Sequence, residues 1–213
     1  MKGVTFGDKH SYYEWGLLLS GKEIQSPSPK SNIIEIEGGD GVLDLTDFFG
    51  DVKYSNRKLT FEFSKMDIVP DGFLALFSLV QNTIHGRKMK VTLDDDPANY
   101  YVGRVTINEW KSEKNLGQIV IEVDAEPYKY KAAETVVSRA VSGTAAITLT
   151  NSRKRVVPVI TTNAELTISF GNYSGTFSAG TFTIPELELV EGDNLVNVSG
   201  TGTITFRYQE GGL

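Results

Sequence analysis

Two histidines, a run of three aspartates and a glycine-flanked aspartate are the residues from which this 213-residue chain could build chemistry. The chain has no cysteine, and its only histidines are His10 and His85. Disulfides, thiolate metal sites and histidine-rich metal clusters are therefore excluded, and a serine nucleophile would have only two possible bases. His85 falls at the end of an apolar-periodic stretch, where a helix dipole favours a cation. Asp94-Asp95-Asp96 offers the oxygen ligands that calcium or magnesium takes, yet it lacks the ligand spacing of a calcium loop and its closing carboxylate. Between two strand-like runs it reads as a solvated turn. Asp40 and Asp44 read as turn residues accepting backbone amides. A glycosidase needs two carboxylates at a fixed separation, which no pair here specifies. The glycines form neither GxGxxG before a helix nor a phosphate loop ending in GK[ST]. Asn172-Tyr173-Ser174 and Asn197-Val198-Ser199 match the glycosylation pattern, which has meaning only with secretion. These residue types point away from an enzyme, and no cofactor or metal is expected.

Charge and hydropathy narrow the partners. The formal net charge is −6, and basic residues are scattered apart from Arg153-Lys154-Arg155. Salt-driven nucleic-acid binding needs a concentrated positive footprint, so specific binding to nucleic acid is not expected. No apolar run approaches the ~18 residues of a membrane helix. The opening MKGVTFGDKHSYYEW lacks the apolar centre of a signal peptide, so a soluble chain made without secretion is expected.

The elements that must position these residues are mostly strands. Val4 and Phe6 open the chain, followed by the aromatics Tyr12, Tyr13 and Trp15 and by Leu17-Leu18-Leu19. Gln25 to Lys30 reads as a turn or short linker. The stretch from Gly38 to Phe63 carries the most fixed geometry. Gly38, Gly39 and Gly41 bracket Asp40 in a turn, and after a second turn at Tyr54-Ser55-Asn56, Leu59, Phe61 and Phe63 alternate with polar residues. Helical spacing of Phe73, Leu76, Phe77, Val80 and Ile84 predicts one helix over about Asp71 to His85, with Asp71 as its cap and Gly86 as its stop. Strands are expected at Arg87 to Leu93, Tyr100 to Ile107 and Gln118 to Asp124, with a turn over Lys111 to Gly117. Gly103 in mid-strand predicts a bulge or a close backbone approach.

At Glu126-Pro127-Tyr128-Lys129-Tyr130-Lys131 the composition changes from charged and aromatic to Thr, Ser, Gly, Asn and Val. Two domains are expected, 1–131 and 132–213. The second should hold eight short strands: Ala145-Leu149, Arg155-Thr161, Glu165-Phe170, Gly175-Phe177, Thr181-Ile184, Glu186-Val190, Leu195-Val198 and Thr203-Tyr208. Turns at Gly171-Asn172, Glu191 to Asn194 and Gly200-Thr201-Gly202 separate them, a spacing that predicts an all-β sandwich.

Five motifs in order, Trp15-Gly16-Leu17, GGDGVLDLT from Gly38, VKYSNRKLTFEF from Val52, YYVGRV from Tyr100 and EPYKYK from Glu126, resemble the distal tail (Dit) proteins of phages with long non-contractile tails. One departure is Glu37-Gly38-Gly39, where the family usually shows a proline. The resemblance implies a mainly β chain: a β-sandwich-like N-terminal domain with one α-helix and hairpins, then a galectin-like all-β sandwich without inserted carbohydrate-binding modules. It implies a homohexameric ring at the distal end of the virion tail, synthesised in the host cytoplasm, with a channel for the tape measure and DNA. Its implied partners are the major tail tube protein, the tail-associated hub or lysin, and receptor-binding or baseplate proteins. Trp15, Asp40, Asp44, Tyr54, Arg57 and Arg104 lie within or beside the matched motifs and are the candidate ring or partner contacts. Setting the N-terminal fold is the competing role for the two aspartates, and core packing of a first strand is the competing role for Trp15. The alternatives are a carbohydrate-binding receptor-recognition module and a tube or hub component of another baseplate type. Downstream of residue 131 there is neither tryptophan nor histidine, so the second domain reads as a structural contact module; Tyr173 and Phe177 are the stacking platforms left to a sugar site, and core or rim placement is the favoured reading of both.

Overall fold

The computed structural model describes residues 2–48, 50–66, 70–113 and 115–213, apart from the side chains of Pro70 and Asp71; the capping role read for Asp71 lies outside them. Its contacts divide the chain into two units, of which the first runs essentially from Met1 to Lys129 and the second from Tyr130 to Gly212.

The first unit contains β1 (Val4–Phe6), β2 (Lys9–His10), α1 (Ser11–Trp15), β3 (Leu18–Ile24), β4 (Ile33–Glu35), β5 (Val42–Asp44), β6 (Arg57–Met66), α2 (Pro70–Ile84), β7 (Lys88–Leu93), β8 (Asn99–Glu113) and β9 (Leu116–Ala125). Its main sheet has the order β2-β1-β7-β8-β9-β6-β3, with antiparallel neighbours. Alternation fixes which face is buried. Leu59, Phe61 and Phe63 of β6 and Ile119, Ile121 and Val123 of β9 are closed to solvent, while Lys58, Thr60, Glu62, Gln118, Glu122 and Asp124 point to the other face. Phe6 of β1 meets Phe61 and Phe63 edge-on at ring distances of 6.0 and 6.2 Å, although three strands lie between β1 and β6 in the sheet. The sheet is therefore strongly coiled over its own core. Phe73, Val80 and Ile84 of α2 join that core on the predicted helical face.

Gly103 marks a close approach, and the bulge falls elsewhere. A Cβ on Gly103 would lie 2.6 Å from the carbonyl oxygen of Asp124 and 2.7 Å from Cα of Ala125. The register of β8 against β9 slips instead between Ile107 and Glu109. That slip reverses the alternation, so that Trp110 faces the core side and stacks on Phe77 at 5.0 Å. It also lets β8 continue to Glu113, where the sequence suggested a turn from Lys111.

A second, short helix, α1, was not legible in the sequence. Five residues cannot form a stable helix by propensity. His10 Nδ1 accepts hydrogen bonds from the backbone amides of Tyr12 and Tyr13, at 3.1 and 3.2 Å, and Gly16 closes the turn in the left-handed region. The other ring nitrogen, Nε2, lies 3.0 Å from Asp94 Oδ2 and, with Nδ1 accepting, is the one that donates. Replacing His10 with alanine should cost about 1 to 2 kcal/mol, and asparagine, which also caps helices, should recover about half of it. Urea titration followed by tryptophan emission checks this, because Trp15 and Trp110 are both in the first unit.

The second unit contains β10 (Lys129–Lys131, which begins at the unit boundary), β11 (Thr135–Asn151), β12 (Val159–Thr162), β13 (Leu166–Phe170), β14 (Tyr173–Phe177), β15 (Gly180–Thr183), β16 (Gly192–Tyr208) and β17 (Gly211–Gly212). β11 and β16 pair over their whole 17-residue lengths, from Thr135 opposite Tyr208 to Asn151 opposite Gly192. The second edge of β16 is shared: residues 197–200 pair with β13, and residues 204–207 with β12. β14 and β15 flank these as the outer strands. The predicted turn at Gly200-Thr201-Gly202 is thus strand. Gly200 lies opposite Gly143, with φ of 129° and 88°, so the ribbon twists sharply at this rung without breaking. The predicted strand Glu186-Val190 is reduced to one bridge between Val156 and Leu189. Fourteen buried apolar residues, among them Leu149, Ile160, Leu166, Ile168, Val198 and Phe206, make the core of this unit.

Candidate interaction surface

Exposed apolar residues make the candidate surface. β4 and β5 form a two-stranded sheet of their own, with Ile33 opposite Asp44, Ile34 opposite Leu43 and Glu35 opposite Val42. Every residue of both strands is exposed. Ile33, Ile34, Ile36, Val42, Leu43 and Phe48 are between 46% and 69% exposed. Apolar residues point to both faces of this hairpin, and an isolated two-stranded hairpin is marginally stable in water. Half-burying the six side chains would gain on the order of 5 kcal/mol before ordering costs. Exposed apolar patches favour contact with another surface, which makes this hairpin the candidate interaction surface. The signal was present in the sequence as adjacent apolar pairs, Ile33-Ile34 and Val42-Leu43, which do not alternate as a half-buried strand should.

The six candidate contacts are not gathered in one place. Asp40 is exposed in the turn joining β4 to β5, and Asp44 ends β5, its carboxylate accepting from the Thr46 amide at 2.9 Å. The Thr46 hydroxyl first, and then this amide, hold the Asp44 carboxyl below its ordinary range. Trp15 is 5% exposed and stacks on Phe6. Arg57 is also buried, donating from Nε to the Gln25 carbonyl at 3.0 Å with its guanidinium over the Tyr101 ring. Trp15 and Arg57 thus spend their side chains inside the unit. Tyr54 bridges to Pro29 and meets Tyr128 edge-on. Arg104, exposed on β8, donates to the Gly86 carbonyl.

The aspartate run is held by the chain's own donors. Asp94 accepts from the Gly3 amide and His10, Asp95 pairs with Lys2 and Lys22, and Asp96 accepts from Asn99 and Lys129. Hydrogen bonds from Lys2 and then Lys22 lower the Asp95 carboxyl, and the Asn99 amide lowers Asp96. Among the described residues no group of three or more acidic, histidine or cysteine side chains could hold a metal ion. His85 Nδ1 accepts a hydrogen bond from the Ile107 amide at 3.1 Å, a structural role at the end of α2.

Sequence reasoning passed over Glu210, which is 6% exposed in the second unit. Its carboxylate accepts from Lys131 Nζ at 2.6 Å, Thr135 Oγ1 at 2.6 Å and Ser152 Oγ at 2.7 Å. Burial pushes this carboxyl up, but the three hydrogen bonds and the lysine charge outweigh it and hold it below its ordinary range. A group lowered in the folded state contributes stability above its unfolded value and loses that contribution as pH falls through its folded value. The second unit should therefore weaken on acidification below the ordinary glutamate range. Glu210→Gln should flatten that acid limb and cost about 1.5 to 3 kcal/mol at neutral pH. Calorimetry across an acid series checks both.

Tyr173 and Phe177 are half-buried and pack against the core of the second unit, with Phe177 stacked on Phe182 at 4.5 Å. They do not stand out as open stacking platforms.

Neither a protein-family model nor a curated protein matches the sequence. Among solved structures, the chain is similar to the crystal structure of the Dit protein (gp 19.1) of phage SPP1, described as a paradigm of the hub adsorption apparatus in phages infecting Gram-positive bacteria. The TM-score is 0.71 at 13% sequence identity, over 98% of this chain and 99% of that one. The motifs from Trp15 to Lys131, the mainly β architecture and this end-to-end likeness agree: the chain has the fold of a Dit-like distal tail protein.

Proposed function

We propose that the protein is a structural component of a phage tail, a distal tail adaptor that joins the tail tube to the tail-tip hub as a ring of six copies. The end-to-end likeness to the SPP1 Dit protein carries this reading. The apolar β4–β5 hairpin supports it, since a ring contact is heterologous and needs one patch on each copy to seat on a different surface of the next. Such a ring has two unlike faces, one for the tube and one for the hub or baseplate, around a channel for the tape measure and DNA. A chain of net charge −6, repeated around the opening, keeps DNA from adhering during passage.

Light scattering and negative-stain imaging of the purified chain test the reading. The expected result is a particle six times the 23.4 kDa of one chain with six-fold views, formed alone or on addition of the tube protein. A chain that stays monomeric with the tube and hub proteins present would overturn it. The packing of Tyr173 and Phe177 against the core weighs against sugar recognition by the second unit.

A further inference from the structure

We propose that Asp40 is a site of spontaneous backbone modification, at which the Gly41 nitrogen captures the Asp40 side-chain carboxyl to form a succinimide that reopens as isoaspartate. The reaction needs a carboxyl and a following backbone nitrogen that are both unengaged, and a backbone free to fold the five-membered ring.

The hairpin turn supplies all three. Among the described residues, the Asp40 carboxyl takes part in no hydrogen bond or ion pair, and the Gly41 amide donates to no acceptor. By contrast, the carboxylate of Asp44 is occupied by the Thr46 amide. Gly38 and Gly41 have φ of 77° and 80°, and no atom comes within 4 Å of where a Cβ on either would lie. Residues 36 to 44 are all exposed. The sequence has one other Asp-Gly pair, Asp71-Gly72, and it lies within α2, whose regular backbone resists ring closure. Asn-Gly, the other permissive pair, does not occur.

The steps balance without an oxidant or an enzyme. A bond forms between the Gly41 nitrogen and Asp40 Cγ, and the amide proton leaves with the carboxyl hydroxyl as water. Water then adds to one of the two imide carbonyls and breaks its bond to nitrogen. Addition at Cγ restores aspartate. Addition at the main-chain carbonyl leaves the chain running through Cγ, one carbon longer between residues 40 and 41, with the carboxylate on a shorter stub. The turn between β4 and β5 then carries a lengthened backbone, and its extent records how long the chain has stood in solution.

The test uses the full chain, aged at neutral pH and body temperature beside an Asp40→Glu variant. Cleavage after Lys30 and Lys53 releases Asp40 in one peptide, in which electron-transfer fragmentation separates isoaspartate from aspartate. Isoaspartyl methyltransferase gives an independent measure of total isoaspartate. Isoaspartate at Asp40 should exceed that at Asp71 by about tenfold or more, which corresponds to a barrier lower by about 1.4 kcal/mol. Methyl acceptance should fall to background in Asp40→Glu. Equal accumulation at the two aspartates, or methyl acceptance unchanged in the variant, would overturn the proposal.

Discussion

A chain carrying Ile34→Asp and Leu43→Asp should remain folded and fail to assemble. The two residues face each other across β4 and β5, and both are exposed, so the substitutions remove no contact from either core. Surface changes of this kind usually stay within about 0.5 kcal/mol, and the unfolding midpoint should not move measurably. Assembly is another matter. In a ring that seats the hairpin on its neighbour, each contact would bury two unpaired carboxylates, and each charge costs several kcal/mol when it loses water without a partner. Two such penalties weaken association by about a thousandfold or more. Light scattering at matched concentration reads the loss, and circular dichroism reads the retained fold. A double variant that assembles like the wild type would place the ring contact outside the hairpin.

Gly103→Val should unfold the first unit under conditions where the wild type is stable. The glycine sits in β8 between β7 and β9, opposite Met89 on one side and Ala125 on the other. Even the first added carbon meets main-chain atoms of β9 at 2.6 and 2.7 Å, and a backbone cannot swing aside as a flexible side chain can. Overpacking of this kind typically costs about 1 to 3 kcal/mol, and a branched side chain against backbone in a central strand belongs at or beyond the top of that range. Thr106→Ala, exposed on the same strand, is the control and should be close to neutral. Both tryptophans belong to the first unit, so the emission midpoint in urea isolates this effect from the second unit. A midpoint unmoved by valine would mean that β8 and β9 separate more easily than their register suggests.

What the sequence revealed depended on whether the cause was local. The periodicity of Phe73, Leu76, Phe77, Val80 and Ile84 is written into a single stretch, and α2 appears one residue from its expected bounds. The alternation of Leu59, Phe61 and Phe63 likewise needs only the pleat. Helix α1 depends on a histidine ring steadied by Asp94, more than eighty residues away, and no propensity in Ser11 to Trp15 announces it. β16 was divided in two because Gly-Thr-Gly is ordinary turn chemistry; the partner that keeps it extended is Gly143 on β11. The surface divided in the same way. Asp40 and Asp44 fall on the hairpin, while Trp15 and Arg57, equally plausible as anchors from their types, find Phe6 and Tyr101 within their own unit.

The ladder between β11 and β16 also determines how the second unit bears load. Thr135 and Tyr208 are the first rung, so the places where the chain enters and leaves this ladder adjoin each other. Tension drawn between them falls on one rung at a time, and the ribbon opens like a zipper, each pair yielding before the next is strained. Tension drawn along the strands from opposite ends would instead meet all seventeen rungs together. The β11–β16 ladder is therefore compliant when parted from this end and stiff along its strands, the behaviour of a coupling that gives in one direction and holds in the other.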